Sequence, residues 1–290
     1  MTELPIHEVY AIRYATQPER PEGATFLGGD PSKMIRGLDF FTYVIKGPNG
    51  IFVVDTGFNA DLSGDGGRNF LQEPSEIINK FGIDPKTVNR VLLTHAHFDH
   101  VGNLDHYPQA EFSIHVDEMN SITGPDITYA PFRIAYHERD TQKLINLLYE
   151  ERLSFYTETV NQVAPGIEFH LVGGHSRGQM ILRVHTKRGW ILLASDAVHL
   201  YEEVETERPF AIFHDLQKMI EGYRISVQLA GGIDRLISGH DPLVTDWYPA
   251  VSNELKGKVL DMNLKPEMNR SNSNCYSIPP RISRTSECAV

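Results

Sequence analysis

The sequence predicts an α/β protein built as a four-layer αββα sandwich, two sheets face to face with helices on both outer surfaces. Three observations carry that expectation. Short β segments bounded by glycine and proline turns occur in both halves of the chain, helical periodicity follows them in each half, and candidate metal ligands recur just after strand-like runs. Side chains at strand ends of two such halves would meet at the seam between the sheets.

Taken in order, strands are expected at 9–14, 39–45 and 51–55, with Gly47-Pro48-Asn49-Gly50 as the hairpin connection between the last two. The stretch 18–37 is rich in proline and glycine and reads as a long ordered loop able to line a pocket or an interface. A short amphipathic helix is expected over 74–81, where Pro74 suits a first turn and Ile77, Ile78 and Phe81 share a side. The run 88–94 reads as a buried strand that ends on His95. Residues 115–165, with Phe132, Ile134, Leu144, Leu147 and Leu148 among charges, read as a helical insertion or lid. Further strands are expected at 168–172, 180–186, 190–195 and 235–238. A helix is expected over 215–229, where Leu216, Met219, Ile220, Tyr223 and Val227 fall at helical spacing. Residues 1–262 then form one domain, and 263–290, dominated by Asn, Ser, Arg and Pro, form a disordered polar tail.

Bulk properties narrow the function. At 290 residues with 41% hydrophobic and 22% charged side chains, the chain has the composition of an ordinary folded protein with a sizeable core. A formal net charge of -11 repels phosphate backbones, so no nucleic-acid partner is expected. No apolar run reaches the ~18 residues of a membrane span, and the start of the chain lacks the pattern of a secretory signal, so no membrane partner is expected and a cytoplasmic location is. The two cysteines, Cys275 and Cys288, sit in the polar tail and cannot staple a core.

The chemistry is concentrated in Thr94-His95-Ala96-His97-Phe98-Asp99-His100. Three imidazoles and a carboxylate within six residues, following the apolar run Val91-Leu92-Leu93 and preceding Gly102, point to metal rather than to a polar surface tract. Side chains two apart on an extended stretch face the same way, so His95 and His97 can share one ion, while Asp99 and His100 at the turn into a helix face a second.

This run resembles the signature of the metallo-β-lactamase superfamily, His-x-His-x-Asp-His after a strand. The downstream elements are present too: His175 in Gly173-Gly174-His175-Ser176-Arg177-Gly178, Asp196 after the 190–195 run, and His240 in Ser238-Gly239-His240-Asp241. The resemblance covers roughly 39–245. It implies that His95, His97 and His175 bind one ion, that Asp99, His100 and His240 bind another, and that Asp196 bridges them. It also implies two Zn2+, with iron, manganese and cobalt open to the same ligands, and hydrolysis by a hydroxide between them. Asp99 would carry the proton to the leaving oxygen. Asp55, in Val53-Val54-Asp55-Thr56-Gly57, matches a further family element and is expected to orient a ligand by hydrogen bonding; the alternative is a turn aspartate capping its own backbone.

Within the superfamily the chain is similar to the N-acyl-homoserine lactonases, through the Phe of His-x-His-Phe-Asp-His and through Ser195-Asp196-Ala197-Val198-His199-Leu200-Tyr201 ahead of Arg208-Pro209-Phe210. That likeness implies a zinc hydrolase opening the ring of a small-molecule cyclic ester. The glyoxalase II-like thioesterases share the ligand set, and di-iron oxidoreductases of the superfamily share it with a flavin domain for which no chain remains here. The chain departs from the lactonases where their tyrosine reaches the substrate carbonyl, since His199 stands there. Either His199 or Tyr201 is expected to take that catalytic role. Phe26, Phe98, Phe210 and Phe213 are candidates for the wall of the substrate pocket, or for core packing. Composition leaves a monomer and a homodimer equally open.

Overall fold

The computed structural model describes residues 4–268. Its longest pairing joins β1 (Glu8–Pro21) to β2 (Met34–Gly47), antiparallel from Glu8 opposite Lys46 to Pro21 opposite Met34. This corrects the expected loop at 18–37. Glu19 pairs with Arg36 and Arg20 with Ile35, so the turn shrinks to 22–33, with one helical turn at Glu22–Thr25. Pro18 and Pro21 mislead because they lie beyond Thr16, where β1 has a neighbour on one side, and a free edge tolerates proline. Leu38 to Ile45 of β2 is buried on both faces, as a strand covered on both sides must be.

The chain continues through β3 (Gly50–Val54), β4 (Asn69–Phe70), β5 (Arg90–Leu92), β6 (Glu111–His115), β7 (Leu153–Tyr156), β8 (Val160–Ala164), β9 (Ile167–Leu171), β10 (Met180–Thr186), β11 (Gly189–Leu193), β12 (Leu236–Ile237) and β13 (Val259–Asp261). The first sheet has the order β13-β1-β2-β3-β5-β6-β7, with β4 added to β1, and the second has β12-β11-β10-β9-β8. Strands β3, β5, β6 and β7 run parallel, so their carboxyl ends lie along one edge; β11 and β12 do the same in the second sheet. The two sheets are joined at that edge by Met180 N–H, which donates to Thr94 O at 2.9 Å.

Helices follow the parallel strands. Pro74–Lys80 buries Ile77 and Ile78, Glu138–Tyr149 buries Leu144 and Leu147, and Leu216–Ala230 buries Met219, Tyr223 and Val227. Asp215 caps the last of these by accepting from Lys218 N–H at 3.0 Å, and Gly231 ends it at a φ of 70°. The expected helical stretch 115–165 is correct through Val116–Ile122, Ala130–Arg133 and Glu138–Tyr149, but not beyond. Residues 153–164 are strand: β7 ends the first sheet and β8 opens the second. Both are edge strands whose outward residues stay exposed or half-exposed, so no continuous apolar run marks them.

Six residues of the expected tail, 263–268, are described and do not match that expectation. Asn263 Oδ1 accepts from Val9 N–H at 2.9 Å and Glu267 N–H donates to Trp247 O at 2.8 Å, so 263–268 is fastened to the sheet. Cys275 and Cys288, with the rest of the expected tail, lie outside the described residues. Among the described residues no helix is long and apolar enough to cross a membrane.

Candidate metal centre

Four strand ends supply the centre. Asp55 follows β3, His95 to His100 follow β5, Asp196 follows β11 and His240 follows β12, while His175 comes from the turn between β9 and β10. The chain folds tightly at these points. Asp55 takes a left-handed φ of 60°, which aspartate tolerates better than most residues. There it turns inward: Oδ1 accepts from Thr94 N–H and Oδ2 from Thr94 Oγ1, both at 2.8 Å. Gly239 is required by close approach, because a Cβ there would stand 2.4 Å from Ser195 O, next to Asp196.

The ligand atoms fall into two buried groups. His95, His97, His175 and Asp196 form one, Asp99, His100, Asp196 and His240 the other, with the offered atoms of each group within 4.8 Å of one another. Asp196 belongs to both by its two oxygens. Oδ2 lies 3.3 Å from His175 Nε2 and 3.9 Å from His95 Nε2; Oδ1 lies 3.1 Å from His240 Nε2 and 3.2 Å from His100 Nε2. Asp99 Oδ2 closes the second group at 3.6 Å from His240 and 3.7 Å from His100.

The far ring nitrogens decide which lone pairs face inward. His175 Nδ1 donates to Ile212 O at 3.0 Å and His240 Nδ1 to Asp39 O at 2.9 Å, since a carbonyl can only accept. His100 Nδ1 meets Asp55 Oδ2 at 2.8 Å, and His95 Nδ1 meets Thr94 Oγ1 at 3.2 Å. Nε2 is thus the inward atom of these four rings, whereas His97 turns Nδ1 inward, 2.8 Å from His175 Nε2.

Charge and burial agree with that arrangement. Burial, with the neighbouring imidazoles, pulls the pKa of His95 and of His175 well below the ordinary value, and burial pulls that of His97 down to about 4. All three are neutral, the form that has a lone pair to give. His100 is the opposite case: burial lowers its pKa, but Asp196, Asp99 and Asp55 outweigh it and raise it well above normal. Asp196 is held well below the carboxylate range, against its burial, by His240, His100 and His199. His95 Nε2 is buried with no hydrogen-bond partner, a costly state for an inward-aimed nitrogen unless a cation takes its lone pair. An all-nitrogen-and-oxygen donor set with one shared carboxylate fits two divalent cations.

A profile of the Metallo-beta-lactamase superfamily matches residues 40–240. The chain belongs to that superfamily. It is 26% identical over 201 residues to the N-acyl homoserine lactonase AiiA of Bacillus thuringiensis subsp. kurstaki, across 63% of this chain and 73% of that one. Two solved structures share the fold. An N-acyl homoserine lactone hydrolase with the product N-hexanoyl-L-homoserine at its catalytic metal centre superposes with a TM-score of 0.66 at 19% identity, over 81% of this chain and 94% of that one. AidC, a dizinc quorum-quenching lactonase, superposes with a TM-score of 0.63 at 19% identity, over 83% and 90%.

Within this superfamily frame the remaining expected residues separate. His199 stands at the centre, Nε2 3.2 Å from Asp196 Oδ2, with its ring flat on Phe210 at 3.7 Å and 9°. Burial works against its proton, but Glu203 and Asp196 outweigh burial and push its pKa up to about 9. Tyr201 does not reach the centre, which corrects its expected catalytic role. Its hydroxyl donates to Leu236 O at 3.0 Å, and its ring packs on Trp247, because it begins the helix Tyr201–Thr206 on the core side. Phe26 is fully buried and bridges to Phe210 through the backbone, so Phe26 is core and Phe210 is the ring that meets His199. Phe98 is half-buried and stacks on His137 at 5.3 Å, while Phe213 packs half-buried on the core.

Sequence reasoning missed Glu118. This fully buried carboxylate accepts from Ala96 N–H at 3.0 Å, from Gly178 N–H and Ser176 Oγ at 2.8 Å, and from Tyr136 Oη at 3.1 Å. It therefore fastens the His95–His97 turn to the His175 turn. Gly178 allows the approach, since a Cβ there would meet Glu118 N at 2.4 Å. An acid near the start of a helix reads as a solvent-facing first-turn charge, and no local signal separates it from one. Tyr14 was likewise silent: its hydroxyl donates to Asp99 O at 2.8 Å.

Proposed function

We propose that the chain is a dinuclear zinc hydrolase that opens the ring of a lactone, an N-acyl-homoserine lactone or a related cyclic ester. The observation that carries this reading is the shared Asp196, one oxygen toward each ligand group, in a chain whose relatives are lactonases. Two cations held by His95, His97, His175, Asp99, His100, His240 and the shared Asp196 would supply hydroxide from water near neutral pH and polarise an ester carbonyl. The rest falls to the protein. Asp99 is the most open of the seven ligand residues, at 8% exposure, so the ring oxygen approaches on its side and Asp99 Oδ2 carries the proton to it. His199, stacked on Phe210 with Glu203 beside Nδ1, turns Nε2 to the centre, and its one N–H there, which faces Asp196 Oδ2, would pass to the carbonyl oxygen as charge develops on it. Zinc suits a site of imidazoles and carboxylates with no cysteine, and a cytoplasmic role for a single such domain is part of the same reading.

The test is a panel of lactones, thioesters and β-lactams on the zinc-loaded protein, with released acid followed by a pH indicator. Ring opening of lactones is the expected result; turnover confined to a thioester would replace this reading with the thioesterase one. His199→Phe is expected to lower kcat by about 10²-fold with both metals retained, and an unchanged kcat would remove His199 from the reaction.

A further inference from the structure

Two arginines flank the centre with little carboxylate to match them. Arg20, on the far half of β1, places Cζ 5.4 Å from the ring centroid of Phe210, the ring stacked on His199. Arg68, just before β4, places Cζ 4.9 Å from Phe98 and 5.6 Å from Phe58, and Phe98 adjoins Asp99. One cation thus comes from the His199 side and the other from the Asp99 side. Burial lowers the pKa of Arg20 below its ordinary value, with Asp99 acting against that and Arg68 with it, and His137, stacked on Phe98, is lowered chiefly by burial with Arg68 acting the same way and Asp99 against it.

Arg20 is held ready. Its Nε and Nη2 donate to Ala24 O at 3.3 and 2.8 Å, and Nη1 donates to Gln17 Oε1 at 3.2 Å. A guanidinium has five N–H donors, so two are left over. Gln17 in turn donates to Gly66 O, tying this strand to the turn that carries Arg68. Arg68 meets Asp65 at a long 3.9 Å, with that carboxylate mostly exposed, and its buried Nε has no hydrogen-bond partner. Several other arginines of this acidic chain take carboxylates at short range, as Arg13 does with Asp39 at 2.7 Å and Arg36 with Asp246 at 2.8 Å. Two like charges that flank one centre, each partly desolvated over aromatic rings, repel, and an anion between them would relieve that. A planar fork of N–H donors suits a carboxylate.

Resting on the lactonase reading above, we propose that the substrate is an anionic lactone, whose carboxylate on the ring or its substituent is bound by Arg20 and Arg68 while its ester lies at the two ligand groups. An uncharged lactone would offer the free donors of these two guanidinium groups no anion.

The experiment compares γ-carboxy-γ-butyrolactone with γ-carbamoyl-γ-butyrolactone, equal in shape and different in charge, on the zinc-loaded protein. The expected kcat/KM ratio is about tenfold or more in favour of the carboxylate, entering through KM and shrinking as salt is raised. Arg68→Gln and Arg20→Gln each bring the ratio toward one, and Arg68→Lys, which keeps charge but not the fork, falls between. Equal kcat/KM values in the unaltered protein, or a preference that survives both Gln variants, overturn the proposal. Calorimetric binding of the opened diacid and the opened acid amide measures the same charge preference without turnover. If no lactone of the wider panel is opened the lactonase reading fails, and this binding contrast, present or absent, then decides the arginine pair by itself.

Discussion

The two ligand groups share Asp196 and are fastened in different ways. His95, His97 and His175 bring only neutral imidazoles to the first group, and their turns are tied together through backbone N–H groups by Glu118. In the second group Asp99 adds a carboxylate to the shared Asp196, and behind His100 stands Asp55, bonded to the ring itself. The first group thus depends on the meeting of two loops, whereas the second depends on accumulated negative charge. A cation is held in the first by shape and in the second by Coulomb attraction, and the two should fail separately.

The largest effect is expected where the groups join. Asp196→Ala removes a ligand from both, so metal content measured by mass spectrometry should fall from two equivalents to below one and kcat by ~10³-fold or more, with circular dichroism unchanged. Two equivalents retained in this variant would break the picture of a shared carboxylate.

Next comes the contrast between the supports. Asp55→Asn is expected to weaken the second-group cation by about 10–100-fold in chelator competition and the first by less, since Asp55 bonds the His100 ring directly and reaches His95 only through Thr94. Glu118→Gln is expected to do the reverse, by about tenfold, because one carboxylate oxygen becomes an N–H2 that only donates, so either Ala96 N–H or Gly178 N–H with Ser176 Oγ loses its acceptor. If either variant weakens both cations equally, the support is a general one and the distinction between loop closure and charge falls.

How much of this was legible in the sequence follows from the same contrast. The histidine and aspartate ligands stood out because few other uses put so many imidazoles behind an apolar strand, and the αββα order followed from where β runs and helical periodicity alternated. Asp55 was visible because Val53-Val54-Asp55-Thr56-Gly57 matches an element of the superfamily. Glu118, Arg20 and Arg68 were not, because what makes each of them matter is a contact made across the fold: Glu118 with residue 178, Arg20 with residue 210. The misread stretches share a cause, since the far half of the β1–β2 hairpin and strands β7 and β8 lie at edges where burial imposes no apolar pattern.

Asp140 offers the control with the smallest effect. Like Glu118 it is a buried acid on a helix, but neither of its oxygens has a hydrogen-bond partner, and Arg139 Nε and His137 Nδ1 come no closer than 3.6 and 3.9 Å. Burial pushes its pKa up to about 6, above the ~3.9 of an exposed aspartate. Between those values the folded chain binds more protons than the unfolded one, so stability falls as pH rises through that window and the loss persists at neutral pH. Asp140→Asn is therefore expected to raise Tm at pH 7 by a few degrees, to flatten the fall in Tm between about pH 4 and 6, and to leave the affinity of both cations where it was. A stabilised Asp140→Asn beside a metal-weakened Glu118→Gln would separate burial, which both acids share, from the partners that only Glu118 has. A lowered Tm in Asp140→Asn would mean that its ionised form is held by the positive groups nearby after all, and the rule drawn from Glu118 would lose its contrast.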